Sequence, residues 1–227
     1  MLDTSAMCGR FLCISSVSDL LNLFRIKSGL DWSPHYNLAP TQSILVYSIQ
    51  PEIGPCLVPM RWGLVPFWMK TLPKTAVFNA RAETVHEKPY FRGAYRHHRC
   101  LIPANGWYEW ADLGDGKRPY VMASDNYAPI VFAGLCDLWT GPDGASHLLS
   151  ATIVTRPAIG DLENVHGRMP LVLSAEGTRV WMDHETHRPP NPLSMDLLPD
   201  LERFSIRPAN QAVGNVRNDG PALLDPD

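Results

Sequence analysis

At 227 residues the chain has room for one large domain or two small ones, and its 45% hydrophobic and 19% charged residues mark it as globular rather than disordered. A net charge of -3 speaks against a uniformly cationic nucleic-acid binder, and the apolar runs, broken by Pro and Gly, fall far short of the roughly 20 residues of a membrane helix. The charge is unevenly placed, however: residues 1–100 hold 11 Lys/Arg against 6 Asp/Glu, and the remainder holds 9 against 17.

In chain order, residues 16–26 place Val17, Leu20, Leu21 and Phe24 at i, i+3, i+4 and i+7, with Ser16 at the start and Gly29 beyond the end, which predicts a helix with one buried face. Short strands are predicted over 44–49, 61–65, 77–83, 100–102 and 106–110 from their β-branched and aromatic content. Two hairpins have visible turns: Gly114-Asp115-Gly116 between the Trp107 and Tyr120 runs, and Gly141-Pro142-Asp143-Gly144 between 130–139 and 148–154. Residues 174–184 predict a second helix, N-capped by Ser174, and 187–199 form a proline-rich connector. With no internal repeat or domain boundary, the expected fold class is α+β: a single domain, mainly antiparallel β-sheet and barrel-like, with a few peripheral helices.

The five cysteines, Cys8, Cys13, Cys56, Cys100 and Cys136, are odd in number, scattered and without a Cys-x-x-Cys pair, so neither a disulfide framework nor structural zinc is expected. No metal or cofactor is implied. No secretory signal opens the chain, so a reducing cytoplasm is expected. The densest basic stretch, 61–99, has 8 Lys/Arg against Glu83 and Glu87 and carries Trp62, Trp68, Phe78, Tyr90 and Phe91. Aromatics among cations suit bases and phosphates; they are equally consistent with a solvated surface over core aromatics.

Four places could carry chemistry. In a strand over 77–83, Asn79, Arg81 and Glu83 share one face and Phe78, Ala80 and Ala82 the other, which fits a ligand cleft or a solvated outer face. Glu109 lies between Tyr108 and Trp110. A carboxylate among aromatics loses hydration and its pKa rises towards the range useful in acid–base chemistry, unless the strand is an edge in water. His166, in a loop beside Arg168, can exchange protons near neutral pH, as most loop histidines never need to. Cys8 is a nucleophile or a small core residue.

Seven segments in order link these places: Cys8-Gly-Arg-Phe11, Tyr36-Asn-Leu-Ala-Pro-Thr41, Met60-Arg-Trp-Gly-Leu-Val-Pro66, Phe78-Asn-Ala-Arg-Ala-Glu83, Arg99-Cys-Leu-Ile-Pro-Ala-Asn-Gly-Trp-Tyr-Glu-Trp110, Phe132-Ala-Gly-Leu135 and His166-Gly-Arg-Met-Pro170. Together, and with Asn218-Asp-Gly-Pro221, they resemble the SOS-response-associated peptidase (SRAP) family, whose members shield abasic sites in DNA. The resemblance implies that Cys8 becomes the first residue of the mature protein and bonds covalently to the ring-opened aldehyde of an abasic site in single-stranded DNA. Residues 1–7 are then a leader absent from the mature protein, and 8–227 the single domain. An N-terminal Cys8 offers an amine, of pKa roughly 7.7 to 8.0, to form an imine and a thiol to close a five-membered thiazolidine. An internal Cys8 offers only the thiol.

By the same resemblance Asn79 positions the sugar remnant, Glu109 is the general acid/base, and His166 assists proton transfer. Arg10 and Arg81 grip phosphates, Trp62 shapes the bend of the DNA, and Lys88 and Arg92 extend the electrostatic track. The family usually carries a polar or acidic residue where this chain has Gly167. The expected protein is a cytoplasmic monomer, nucleoid-associated when bound to DNA, with crosslinking and lyase-like activity in the DNA damage response. Two other functions stay open: a cysteine peptidase that removes its own leader, and a non-covalent single-strand binding module.

Overall fold

The computed structural model describes residues 8–27, 31–50, 52–114, 116–124, 126–185 and 188–226. Its elements in order are β1 (Phe11–Cys13), α1 (Val17–Phe24), β2 (His35–Leu38), β3 (Ser43–Gln50), β4 (Gly54–Trp62), β5 (Asn79–Arg81), α2 (Arg92–His97), β6 (Arg99–Ala104), β7 (Gly106–Asp112), β8 (Lys117–Ser124), β9 (Ile130–Thr140), β10 (His147–Pro157), β11 (Arg168–Pro170), α3 (Ala175–Met182) and β12 (Phe204–Pro208). This is the expected α+β fold, mostly sheet.

Strands β10, β4, β3, β6 and β9 pair in that order, and β9 pairs back onto β10, so the sheet closes into a ring of five. All its pairings are antiparallel except β10 with β4. Alternation along the strands sorts the side chains. Ile44, Val46, Cys100, Ile102, Phe132, Ala151 and Ile153 fill the ring, while Leu101, Ala133, Leu135 and Val154 face outwards under α2 and α3. So small a ring has little room: a Cβ on Gly134 would lie 2.9 Å from both Cys100 Sγ and Ile102 Cδ1.

The second sheet runs β12-β8-β7-β1-β2, all antiparallel. Its Phe11, Cys13, Trp107 and Met122 pack against the ring, with Phe11 edge-on to Trp62 and Phe132. Its other face, Leu12, Tyr108, Val121 and Ala123, is covered by Ala209, Val213 and Leu223 of the C-terminal segment. Gly106 lets β7 lie between β1 and β8, because a Cβ there would sit 2.7 Å from Met122 O.

Both expected hairpins form, as β7–β8 and β9–β10; Asp115, in the first turn, lies outside the described residues. α1 is capped by Ser16 and stops at Arg25 in the left-handed region (φ 54) rather than at 26, and Ser174 caps α3 as read from the sequence. Two strand expectations are corrected. The 61–65 strand is the end of β4, because Gly63 (φ 137) turns the chain out of the sheet. The 77–83 strand keeps only Asn79–Arg81, beyond which Thr84 N bonds to Arg81 O (3.1 Å) in a turn.

Arg99 is buried and pairs with carbonyls instead of a carboxylate: Nε donates to Trp181 O (2.7 Å), Nη1 to Tyr95 O (3.0 Å) and Arg96 O (3.2 Å), and Nη2 to Asp183 O (2.5 Å). One guanidinium thus satisfies the free carbonyls at the ends of α2 and α3, where the helix dipoles are negative. Arg99→Met is expected to cost about 3 kcal/mol by orphaning those buried acceptors. A urea unfolding midpoint equal to that of wild type would show that the clamp is idle.

Candidate active site

Three sequence-distant segments meet where the second sheet packs on the ring. Glu109 has the same strand parity as Trp107 and therefore points towards the ring, where it is only 1% exposed. Its Oε1 accepts a hydrogen bond from the backbone nitrogen of Cys8 (2.9 Å), 101 residues away. From the third side Asn79 Nδ2 donates to the carbonyl of Cys8 (3.4 Å), across 71 residues. The Asn79 segment is set by parallel pairing of β5 with β10, Asn79 opposite Ile153, while Ala80 and Ala82 are buried behind it.

The electrostatics follow from burial. Loss of hydration pushes the Glu109 carboxyl up to about 8, and the Cys8 N–H pulls it part of the way back. The Cys8 thiol is fully buried and is raised well above its ordinary range, first by burial and then by the Glu109 carboxylate. At neutral pH this is a protonated thiol beside a largely neutral acid, both held by their surroundings.

His166 lies apart from this trio in hydrogen bonding. Its Nδ1 lies 3.1 Å from Arg168 N and 3.3 Å from Arg168 O, so the Arg168 backbone holds this ring nitrogen in either tautomer. Next to it, Arg168 donates through both Nη atoms to the Glu83 carboxylate and through Nη2 to Thr155 O (2.9 Å). Burial would raise Glu83, but the hydrogen bonds from Arg168 and the nearby cations hold it below its ordinary value. This pair ties the exit of β5 to β11, and the Asn79–Glu83 and His166–Pro170 segments are thereby fixed to one another. Sequence reading noted Arg168 only as a neighbour of His166; an arginine and a glutamate 85 residues apart carry no local signal of pairing.

The residues expected to meet DNA divide into two groups. Arg81, Lys88 and Arg92 are exposed. Arg10 is engaged by the protein itself: Nη1 donates to Val213 O (2.6 Å), Nη2 to Gly214 O (3.3 Å), and the guanidinium lies 5.8 Å from the Trp110 ring centre. Trp62 is fully buried, with Nε1 donating to Phe78 O (2.9 Å), so it has no ring face to offer a strand and acts as a core wall behind β5. The exposed aromatics of the basic stretch are instead Phe67 and Trp68, 63% and 49% accessible. The leader proposed over 1–7 lies outside the described residues. Among the described residues no group of three His, Cys, Asp or Glu is placed to hold a metal, and no helix is long and apolar enough to cross a membrane.

Fold and site together define a protein built around one buried cysteine, whose backbone is held between a buried carboxyl and an amide. Residues 7–216 match the family described as SOS response associated peptidase, SRAP, and the chain belongs to that family. It is 34% identical to the abasic site processing protein YoqW of Bacillus subtilis (strain 168), over 96% of this chain and 99% of that one. It is 33% identical to abasic site processing protein YedK of Escherichia coli (strain K12), over 97% and 100%. With abasic site processing protein HMCES of Gallus gallus it shares 30% over 97% of this chain and 78% of the relative. Among solved structures, a Bacteroides thetaiotaomicron protein superposes with a TM-score of 0.83 at 20% identity, covering 97% of this chain and all of the other.

Proposed function

We propose that this protein processes abasic sites in DNA by capturing the ring-opened sugar aldehyde of a single strand on Cys8, once residues 1–7 have been removed. The observation that carries this reading is the Cys8 nitrogen seated on the buried Glu109 carboxyl. In the processed chain that nitrogen is a primary amine, of ordinary pKa roughly 7.7 to 8.0. Burial, which raises the carboxyl to about 8 where this nitrogen is an amide, favours a carboxyl that can pass a proton to and from the amine. An ammonium there would itself draw the carboxyl down.

The steps balance on residues at hand. The neutral amine adds to the aldehyde carbon, and Glu109 protonates the departing hydroxyl, so that water leaves and a protonated imine remains. The Cys8 thiol then adds to the imine carbon, its proton passing to the Glu109 carboxylate and the nitrogen returning to an amine within a thiazolidine. Asn79 keeps the Cys8 backbone in place for both additions, and His166 exchanges protons at the opened sugar. Exposed Arg81, Lys88 and Arg92 supply the cations for phosphates. A peptidase would need an activated thiolate on a histidine base. Here the thiol is raised and His166 Nδ1 is occupied by Arg168, which favours capture of an aldehyde.

The test is the intact mass of the denatured product after incubation with a single-stranded oligonucleotide bearing one abasic site. The expected species is an adduct, one water lighter than the sum of its parts, whose protein portion begins at Cys8. A chain that begins at Cys8 and remains free of DNA would overturn the reading.

A further inference from the structure

The second sheet ends in an open edge. Among the described residues β12 pairs with β8 alone. Ala209 N bonds to Pro119 O (2.9 Å) in continuation of that ladder, whereas Phe204 N turns away to Leu201 O. Backbone groups of successive residues point to opposite sides of a strand, so the odd positions face β8 and Ile206 directs its N–H and C=O to the open edge. Pro208, which has no N–H, stops the edge at its far end. Beside the edge lies a groove of about 370 Å3 with a floor of Ile159, Leu162, Leu201, Phe204 and Ile206. Leu162 belongs to the main core and the other four are half-buried against it, so the groove is a margin of the core that the chain leaves unfilled. Phe204 and Ile206 share one strand parity, and both side chains reach the groove from the strand that carries the edge. The charged groups in its lining are Asp161 and Glu202, both exposed, with no Lys or Arg among them. Arg203, next to Glu202, is turned to Asp200, Nε to Oδ2 at 3.4 Å.

We propose that the groove and the β12 edge bind an extended segment of a partner protein, added as a further strand, whose groove-facing side carries two apolar residues flanked by Lys or Arg. Each feature selects part of that occupant. The edge takes an extended backbone, the floor takes alternate apolar side chains, and the acidic rim takes the cations. The same rim repels phosphates, so this face is not a second track for DNA. It lies in the part of the chain beyond residue 100, which holds 9 Lys/Arg against 17 Asp/Glu. The inference does not rest on the abasic-site reading.

The experiment titrates the full ¹⁵N-labelled chain with the synthetic peptide Thr-Lys-Thr-Val-Thr-Leu-Thr-Lys-Thr, in which Lys, Val, Leu and Lys share one side, and follows the amide resonances. Two further peptides replace both Lys by Glu, or Val and Leu by Ser. The first peptide is expected to shift the Ile206 and Leu162 amides, with each of the others bound at least about tenfold more weakly. Ile206→Pro removes the outward N–H and leaves the bonds to β8, and should weaken the first peptide about tenfold. Asp161→Lys combined with Glu202→Lys changes two exposed side chains and should reverse the preference between the Lys and Glu peptides. A melting curve shows whether Ile206→Pro is folded; if it is not, the double reversal alone decides. No shift at Ile206 up to millimolar peptide, equal binding of the Lys and Glu peptides, or an unchanged preference in the double variant would each overturn the proposal. So would a wild-type dimer in sedimentation that the double reversal breaks, since the occupant would then be a second copy of this chain.

Discussion

Cys8→Ser is expected to reduce the adduct that survives denaturation by on the order of 100-fold, because only the thiol closes a stable ring. Serine keeps the amine and can still form an imine, but an imine hydrolyses when the fold that shields it is lost. Borohydride, which reduces imines to stable amines, separates the two steps. The Cys8→Ser protein should give a strong adduct with borohydride and almost none without, whereas wild type should give the same yield under both conditions. Equal adduct survival for the two proteins without borohydride would remove the thiol from the mechanism. Since Cys8 is wholly buried, the hydroxyl is expected to cost about 1–2 kcal/mol of stability, which an unfolding curve accounts for separately.

Glu109→Gln is expected to slow capture by about 10²–10⁴, the usual worth of a positioned acid or base, and to remove a pH dependence of stability. In the chain that retains residues 1–7, the carboxyl is raised from an ordinary 4.5 to about 8 by burial. Between those values the folded protein keeps a proton that the unfolded chain releases. The contribution of this carboxyl to stability is therefore fully present below about 4.5, falls as pH rises through the window, and is lost above about 8. The total change is about 5 kcal/mol, from ~1.4 kcal/mol per pKa unit over the shift from 4.5 to about 8. Glutamine cannot ionise, and its side-chain oxygen can still accept from Cys8 N, so the variant should be flatter across the window and relatively more stable at pH 8. Melting temperatures of both proteins from pH 5 to 9 measure this. Parallel curves would mean that Glu109 does not hold its proton in the fold.

Much of the secondary structure is local in origin and was legible in the residues. Ser16 and Ser174 cap their helices by bonds to backbone nitrogens three positions on, and the two hairpin turns carry their own Gly and Asp signals. The strands that escaped notice, β1, β2, β11 and β12, are three to five residues long, and their stability comes from the partner strand rather than their own composition. α2 is a six-residue helix whose last turn is secured by Arg99 from outside it. No period can be seen over so short a span.

The sequence by itself determined the α+β class, the family through seven ordered motifs, and the identities of Cys8, Asn79, Glu109 and His166 as candidates. Only the tertiary structure decided that Glu109 is buried rather than an edge residue in water, because strand alternation leaves open which face meets the core. It also decided that Cys8, Asn79 and Glu109 touch while His166 bonds within its own loop. In the same way it turned Trp62 inwards and left Phe67 and Trp68 in solvent, although all three lie within seven residues of one basic stretch. The physical reason is common to these cases: burial and contact are set by strands paired across 70 to 100 positions of chain, and no local propensity carries that register.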